Sequence, residues 1–374
     1  MTAINAEILK KRTFDFALAT FRAIDRLEKS TVNEVMGKQV IRSSSSVGAK
    51  ALGFKLFDPG VEIKGIILNR IADENHLNSI KRAIDKRVGI PVLGGIPRVK
   101  DIELEERHLG LIPSGEKKVP KERLEKISEI IKKHVDLERL LKISKSSSHI
   151  PNFKRSLFVD DPLKETTARL GVARDEAFSF YYEDVFDVMR HRGCEIVEFS
   201  PTRDTELPDN LDAIYIGGGF PEFFGRELSE NESMKKSIRE FHKIGKPVYA
   251  ECGGLMYLCR AIKDVEGQEF KMVGIVPGKT VMTPKLQALS YVEMEASKDG
   301  AFFKRGDKLR GHEFHFSILE VEEELNFVLK TVSTTGKVKP EGIISKNTLA
   351  SYTHFHLASN PEVVREIPVR LVKN

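Results

Sequence analysis

The sequence predicts an α/β protein with two successive parallel-sheet domains. In the first region, short apolar runs at residues 65–68 and 90–93 flank a polar helical segment near residues 76–87, which is a βαβ rhythm. In the second region, apolar strand-like runs and helical segments alternate again from residue 170 onward. A chain of 374 residues is long enough to bury two hydrophobic cores.

A Ser-rich stretch with a proline near its end, residues 144–152, separates these regions. We therefore expect a first domain over residues 1–143, a linker over residues 144–165 and a second domain over residues 166–374. In the first domain, apolar spacing predicts an amphipathic helix over residues 7–29 and a long closing helix from Leu124 to Val135.

The second domain is predicted to contain strands at residues 170–173, 195–199, 213–216 and 248–250, with helices at 181–191, 230–243 and 255–262. The later runs 286–295, 312–321 and 349–353 look extended, and an antiparallel extension of the sheet would accommodate them. An open parallel sheet places its binding sites at the carboxyl ends of the strands, and Cys252 follows one such strand.

Composition excludes several classes of function. Sixty basic and 55 acidic residues leave a net charge of +5, and no basic stripe interleaved with aromatic residues predicts a nucleic-acid partner. We expect no membrane association, because no run of about 18 apolar residues occurs and the first residues do not resemble a signal peptide. Three cysteines have neither metal-ligand nor disulfide spacing, which favours the reducing cytoplasm.

The segment Val248-Tyr-Ala-Glu-Cys-Gly-Gly-Leu255 places a cysteine between a short apolar run and a glycine-rich helix start. This pattern is typical of a nucleophile elbow, a sharp strand-to-helix turn that exposes a reactive side chain. Partial positive charge at the helix N-terminus favours a thiolate. Cys252 is therefore the first candidate nucleophile, and the alternative is a buried core cysteine.

A cysteine nucleophile requires a base and donors for the developing oxyanion. His354 and His356 follow the last apolar strand, and strand alternation predicts that both point to one face. We expect one of them to be the base and the other to be a structural or substrate contact. Gly218 and Gly219, with the N–H of Gly253, would form the oxyanion loop, although a glycine run can also be only a tight turn.

The segment Arg310-Gly-His-Glu-Phe-His-Phe316 concentrates histidines and a carboxylate in seven residues. Its alternation fits a β-strand, and no cysteine or carboxylate at zinc spacing accompanies it. We expect no metal site.

These patterns belong to a wider set of motifs. The second region contains Ala173-Arg-Asp-Glu-Ala-Phe-Ser-Phe-Tyr-Tyr-Glu-Asp184, Tyr215-Ile-Gly-Gly-Gly-Phe-Pro-Glu222, Ala250-Glu-Cys-Gly-Gly-Leu-Met-Tyr257, Gln287-Ala-Leu-Ser-Tyr291, Arg310-Gly-His-Glu-Phe-His-Phe-Ser317 and Ala350-Ser-Tyr-Thr-His-Phe-His-Leu-Ala-Ser-Asn360. The first region contains Gly53-Phe-Lys-Leu-Phe-Asp58, Gly65-Ile-Ile-Leu-Asn-Arg70, Gly89-Ile-Pro-Val-Leu-Gly94 and Glu106-Arg-His-Leu-Gly-Leu-Ile-Pro113. In these motifs and their order, the chain resembles the cobyrinate a,c-diamide synthase family.

The resemblance implies a P-loop-like, dethiobiotin-synthetase-like first domain and a class I glutamine amidotransferase-like, flavodoxin-like second domain. It implies that Cys252 and His354 release ammonia from glutamine, and that the ammonia amidates the a and c acetates of a corrinoid precursor. A related branch amidates nickel sirohydrochlorin instead. Many class I amidotransferases carry a Glu two residues beyond the base, where this chain has His356, so the group that orients His354 is unassigned. His356 and Glu313 are expected to support the pair without contacting substrate.

The family's synthetase domain uses ATP and Mg²⁺ through a glycine-rich phosphate loop. This sequence contains no such loop, since residues 274–280 are one residue short of the motif and lie in the wrong domain. We therefore expect a truncated synthetase domain that keeps the adenine side of the site, with Asn69 and Pro97 at the ends of two strands. A separate P-loop subunit would complete it. The alternatives are a non-catalytic tetrapyrrole-binding subunit and a cysteine hydrolase of an unrelated amide.

Overall fold

The computed structural model describes residues 50–58, 60–102, 106–107, 110–111, 119–146, 157–158, 162–163, 165, 167–321 and 323–373. It divides into two compact units, one of Met1–Glu105 with Val119–Pro151 and one of Glu106–Lys118 with Asn152–Asn374. The helix predicted over residues 7–29 and most of the linker predicted over residues 144–165 lie outside the described residues. Within the described ranges, no helix has the length and apolar character needed to cross a bilayer.

The first unit contains the predicted βαβ arrangement. Strands β1 (Ile66–Ile71) and β2 (Val92–Pro97) are parallel, and helix α1 (Glu74–Arg87) connects them. Asp73 caps α1 by accepting a hydrogen bond from the backbone N–H of His76 at 2.7 Å. Ile84 on α1 is fully buried, so the helix covers the two strands with its apolar face.

The predicted helix from Leu124 to Val135 corresponds to α2 (Lys121–His134), and a further helix, α3 (Leu137–Lys145), follows it. Val135 is extended, with a φ of −123°, and forms an isolated bridge with Gly94. Asp136 then caps α3 by accepting from the N–H of Arg139 at 2.9 Å. A capping carboxylate satisfies a free N–H at the start of a helix, so it favours a new helix over continuation of α2.

The second unit is built on a ten-stranded sheet in the order β20-β15-β14-β17-β18-β19-β10-β8-β5-β7. Its strands are β5 (Ala168–Ala173), β7 (Cys194–Phe199), β8 (Ala213–Ile216), β10 (Val248–Glu251), β14 (Ala288–Ala296), β15 (Lys308–His315), β17 (Phe327–Ser333), β18 (Val338–Ser345), β19 (Thr348–Ser351) and β20 (His354–His356). Neighbouring strands in this order are parallel from β7 through β5, β8 and β10 to β19. They are antiparallel from β19 through β18, β17, β14 and β15 to β20. The predicted antiparallel extension is therefore confirmed, except that residues 317–321 of the run 312–321 belong to a separate sheet.

Helices cover both faces of the parallel half. On one face, α4 (Glu183–His191) and α8 (Pro361–Lys373) bury side chains such as Phe186 and Ile367 against the sheet. On the other face, α6 (Glu232–Lys243) and α7 (Gly253–Leu258) do the same through Ile238 and Leu255. The short helix α5 (Gly225–Glu230) precedes α6. This doubly wound arrangement buries the central parallel strands β8, β10 and β19 completely and leaves the carboxyl ends of the parallel strands open for a site.

Part of one predicted helix is wrong. The run 255–262 is helical only to the end of α7, and β11 (Cys259–Lys263) follows at once. This strand pairs with β12 (Glu269–Lys271) and β13 (Val276–Met282), and β16 (Ser317–Val321) completes a separate four-stranded sheet. A short apolar run shows no hydrophobic periodicity that distinguishes a strand from a helix. Pairing with neighbouring strands therefore determined the secondary structure of this segment.

Two small strand pairs complete the second unit. Strand β3 (Glu106–Arg107) pairs with β4 (Gly110–Leu111). Strand β6 (Phe178–Phe180) is antiparallel to β9 (Gly218–Gly219), which follows β8 almost directly. The β6–β9 pair therefore lies at the carboxyl end of the parallel strands, which is the edge where the site was predicted.

Candidate active site

Cys252 stands between β10 and α7 in a strained backbone conformation, with a φ of 47° and a ψ of −101°. Non-glycine residues rarely adopt positive φ, and such strain occurs mainly where a function requires it. Its N–H donates to the carbonyl of Ser351 at 2.7 Å, and its carbonyl accepts from the N–H of Met256 at 3.0 Å. These two bonds hold the predicted elbow between β19 and the first turn of α7.

Close backbone packing explains the two glycines after the cysteine. A Cβ atom on Gly254 would lie 2.1 Å from the carbonyl oxygen of Ile216, and one on Gly253 would lie 3.0 Å from the backbone nitrogen of Gly219. Residues with side chains would therefore push the turn away from β8 and β9. The glycines place the N-terminus of α7 directly beside the β9 loop.

His354 begins β20 and contacts the cysteine. His354 is 6% exposed, and its imidazole lies close enough to Cys252 to interact with it electrostatically. Burial lowers the pKa of this imidazole, but the Cys252 thiolate and then the Glu251 carboxylate outweigh burial and raise the pKa to about 10. The raised pKa favours a protonated His354 imidazole beside the Cys252 side chain.

A cavity of about 330 Å³ opens onto this pair. It is lined by Ser179, Phe180, Tyr181, Tyr182, Cys252, His312, Phe314 and His354. A core cysteine would be sealed from any cavity, whereas the thiol of Cys252 reaches this one. A small molecule in the cavity can therefore meet both the sulfur and the imidazole.

The glycines of β9 also adjoin the pair. A Cβ on Gly218 would lie 2.2 Å from Cε1 of His354, and one on Gly219 would lie 2.0 Å from the carbonyl oxygen of Ala177. The N–H of Gly217 donates to the hydroxyl of Tyr181 at 2.9 Å. The structure thus brings Gly218 and Gly219 together with Gly253, Cys252 and His354, while Gly217 is engaged elsewhere.

The two other sequence-predicted residues have different partners. Nε2 of His356 lies 2.9 Å from Oδ2 of Asp184, and its ring centroid is 4.5 Å from that of Tyr182. Glu313 belongs to a separate buried cluster, with Oε1 at 3.0 Å from Nε2 of His315 and 2.5 Å from Nζ of Lys339. His356 thus lies beside the cavity lining, and Glu313 contacts neither Cys252 nor His354.

Sequence reasoning missed the role of His312 at this site. Its ring stacks on that of His354, with centroids 4.9 Å apart and an interplanar angle of 11°. Its Nδ1 atom lies 3.2 Å from the hydroxyl oxygen of Tyr182. Burial and then the charge of His354 lower the pKa of His312, and Glu251 partly opposes them. The neutral ring therefore forms one wall of the site and restricts the tilt of His354.

Sequence reasoning also missed Glu251, the last residue of β10. Its side chain is 1% exposed, and Oε2 lies 3.8 Å from Nδ1 of His354. The available signal was a lone carboxylate within an apolar strand, immediately before the candidate nucleophile. A buried charge requires hydrogen bonds or a partner charge, and this requirement could have pointed to Glu251.

Known protein families match both regions of the chain. The CobB/CobQ-like glutamine amidotransferase domain matches residues 169–362. A cobyrinate a,c-diamide synthase from Listeria innocua is 42% identical over 327 residues, which are 87% of this chain and 71% of that protein. The chain belongs to the cobyrinate a,c-diamide synthase family. Another synthase of that name, from Methanothermobacter thermautotrophicus, is 42% identical over 85% of this chain and 69% of its own length.

The family also accounts for the first unit. The CobQ/CobB/MinD/ParA nucleotide binding domain matches residues 23–112. Among solved structures, that of PurLQS from Thermotoga maritima is 16% identical, covers 55% of this chain and 98% of its own, and has a TM-score of 0.39. That likeness is too weak to add to what the family matches establish.

In the synthase family's nucleotide-binding region, Pro97 ends strand β2, as predicted, whereas Asn69 lies within β1, two residues before its end at Ile71. Asn69 is exposed, and its Oδ1 accepts from the N–H of Arg70 at 2.9 Å. Neither side chain carries the charge that phosphates or Mg²⁺ require. In the described ranges, no three His, Cys, Asp or Glu side chains are grouped to hold a metal ion.

Proposed function

We propose that the chain hydrolyses glutamine at Cys252 and uses the ammonia to amidate the a and c acetate carboxylates of cobyrinic acid. The observation that carries this proposal is the strained Cys252, which lines one cavity together with His354. Relatives named cobyrinate a,c-diamide synthase, matched over most of their length, supply the acceptor.

In the first half of the reaction, the Cys252 thiolate attacks the side-chain amide carbon of glutamine and forms a C–S bond. The carbonyl oxygen becomes an oxyanion, and we assign its stabilisation to the backbone N–H groups of Gly218, Gly219 and Gly253, which lie beside the pair. The His354 imidazolium then gives its proton to the amide nitrogen. The C–N bond breaks, and ammonia leaves a thioester on the enzyme.

In the second half, neutral His354 takes a proton from water as the water oxygen attacks the thioester carbon. Collapse of that intermediate breaks the C–S bond and releases glutamate. Cys252 leaves as the thiolate and His354 remains protonated, so the pair is restored. The sum is one glutamine and one water converted to glutamate and ammonia.

Amidation of a carboxylate by ammonia also requires activation of that carboxylate, and ATP with Mg²⁺ supplies this chemistry in nucleotide-dependent ligases. The nucleotide-binding domain match over residues 23–112 supports a role for the first unit in holding ATP. We place the adenine beside Asn69 and Pro97. Phosphate and Mg²⁺ contacts would come from residues outside the described ranges or from a separate P-loop subunit.

The test compares Cys252→Ala with Cys194→Ala, which removes another buried thiol far from the cavity. Each variant is given cobyrinic acid, ATP, Mg²⁺ and either glutamine or ammonium chloride, and amidated product is measured by mass spectrometry. We expect Cys252→Ala to lose the glutamine-dependent product and to keep the ammonium-dependent one. Cys194→Ala should keep both.

Two results would contradict the proposal. One is unchanged glutamine use by Cys252→Ala. The other is a wild-type chain that binds the corrinoid but releases no glutamate, even with a P-loop subunit added, which would identify a non-catalytic tetrapyrrole-binding protein. A parallel reaction with nickel sirohydrochlorin decides between the two macrocycles, because each substrate gives products of a different mass.

A further inference from the structure

Glu251 is a fully hydrogen-bonded carboxylate behind the catalytic pair. Its Oε1 atom accepts from the hydroxyl of Tyr249 at 2.5 Å and from the N–H of Phe355 at 2.9 Å. Its Oε2 atom accepts from the hydroxyl of Tyr215 at 2.8 Å. Three donors therefore fix both oxygens, and one of the donors is the backbone of the residue that follows His354.

The charge of Glu251 is directed at His354. Within the described residues, His354 is the basic side chain found within 4.0 Å of this carboxylate. Burial and then the Glu251 charge raise the pKas of Tyr215 and Tyr249 well above 10, so both phenols keep their protons and remain donors. A buried carboxylate so arranged is stabilised further whenever the facing imidazole is positively charged.

We infer that Glu251 is the positioning residue of the Cys252–His354 pair, the third member that the chain lacks at position 356. Nδ1 of His354 keeps its proton and faces Glu251, while Nε2 exchanges a proton with the sulfur and the leaving amide nitrogen. The carboxylate comes from the residue before the nucleophile on β10, not from the strand that carries the histidine. This inference rests on the proposed function.

The obvious competing role for Glu251 is purely structural, since it also anchors the backbone of Phe355. Glu251→Gln keeps the shape and removes the charge. Tyr215→Phe removes one donor to the same carboxylate and keeps its charge, so it is the matched control. The measurement is the pH titration of His354, which is monitored by NMR of ¹³C-labelled histidine in the resting protein. Thermal unfolding checks that each variant is folded. Assigned signals are required because a second histidine, His312, stacks on the ring of His354.

We expect Glu251→Gln to lower the pKa of His354 by at least a full pH unit and to lower the kcat of glutamine hydrolysis by about 100-fold, the lower end of the range for general acid–base catalysis. The KM for glutamine should change less than kcat. Tyr215→Phe should leave the His354 titration within a few tenths of a unit of wild type. A folded Glu251→Gln protein with an unchanged His354 titration and kcat would overturn the inference.

Wild-type protein provides a second test that does not depend on the variant folding. Alkylation of Cys252 with iodoacetamide removes the thiolate and leaves Glu251 as the charge beside His354. We expect ¹⁵N NMR to show the Nδ1–H tautomer and a His354 pKa still above 6.5. The Nε2–H tautomer with a pKa at or below 6.5 would refute the role of Glu251. Because this titration needs no turnover, its outcome is separate from the test of glutamine-dependent amidation.

Discussion

At the scale of single residues, the backbone of Cys252 has a conformation that glycine adopts more readily than any residue with a side chain. The surrounding structure holds it there through the bonds to Ser351 and Met256. The strain directs the sulfur into the cavity beside His354. Reactivity and stability therefore oppose each other at this position.

The first prediction concerns this strain. Cys252→Gly should be more stable than Cys252→Ala by about 1 kcal/mol, because only glycine relieves the positive φ. The free energies of unfolding of both variants, measured by urea denaturation, check this difference. Both variants lack the thiol, so each serves as the other's control. Equal stability would mean that the backbone at position 252 is not strained in solution.

The second prediction concerns Gly218. Its α-carbon faces the His354 ring so closely that an added methyl group would force the imidazole to move. Gly218→Ala should lower the kcat/KM of glutamine hydrolysis by about 100-fold, since displacement of a catalytic group by about 1 Å has effects of this size. Gly300→Ala is the control, because its nearest neighbour would be the Phe303 carbonyl oxygen at 3.8 Å. Equal losses in the two variants would disprove a specific contact with His354.

At the scale of single elements, strand alternation separates the polar residues of β15. His312 lines the cavity. Glu313 and His315 join Lys339 in a different cluster, where Lys339 also lies 3.1 Å from Glu341 on β18. The concentration of histidines and a carboxylate in sequence is therefore divided between two environments.

The third prediction follows from the pKa of Glu313. Burial raises it, but the hydrogen bonds from His315 and Lys339 outweigh burial and lower the pKa to about 2. A lowered carboxyl pKa stabilises the fold above the unfolded value near 4.5, and this contribution is lost as the pH falls towards 2. Glu313→Gln should therefore lower the free energy of unfolding at pH 7 by up to about 3 kcal/mol, and the difference should vanish near pH 2.

Chemical denaturation at a series of pH values between 7 and 2 measures this difference. Glu266→Gln, at an exposed turn position, is the control and should follow the wild-type acid profile at every pH. Parallel profiles for wild type and Glu313→Gln across this range would show that Glu313 does not titrate abnormally.

At the scale of the whole molecule, the sheet assembles a site from residues that are distant in sequence. Strand β10 delivers Glu251 and Cys252, the β9 loop follows β8, and β20 returns His354 from near the end of the chain. All of these residues belong to the second unit. Glutamine chemistry and nucleotide binding are thus assigned to different units.

The fourth prediction tests this division. A fragment of residues 106–374 contains all of the second unit, and its Cys252 should react with a glutamine-analogue alkylator such as 6-diazo-5-oxo-norleucine. The same fragment should form no amide from cobyrinic acid, ATP and ammonium, because the nucleotide-binding region is absent. The full chain is the control for both reactions. Amide formation by the fragment would place the synthetase activity in the second unit.

Local patterns predicted much of this protein. The βαβ rhythm, the antiparallel extension and the elbow at Cys252 follow from apolar periodicity and from glycines placed at a turn, which are properties of neighbouring residues. The pairing of Cys252 with His354 came from the family resemblance, and the structure brings the two side chains together. The helix predicted after Leu258 was wrong because the hydrophobic periodicity of a short, buried apolar run does not distinguish a helix from a strand.

The sequence by itself determined the two α/β regions, the reactive cysteine and its elbow, because each depends on residues adjacent in the chain. Only the tertiary structure decided that Glu251 faces His354, that His312 stacks on the same ring and that Glu313 lies in another cluster. These contacts depend on which strands become neighbours and on which face each side chain occupies. Strand pairing between distant segments sets both, and no local pattern records it.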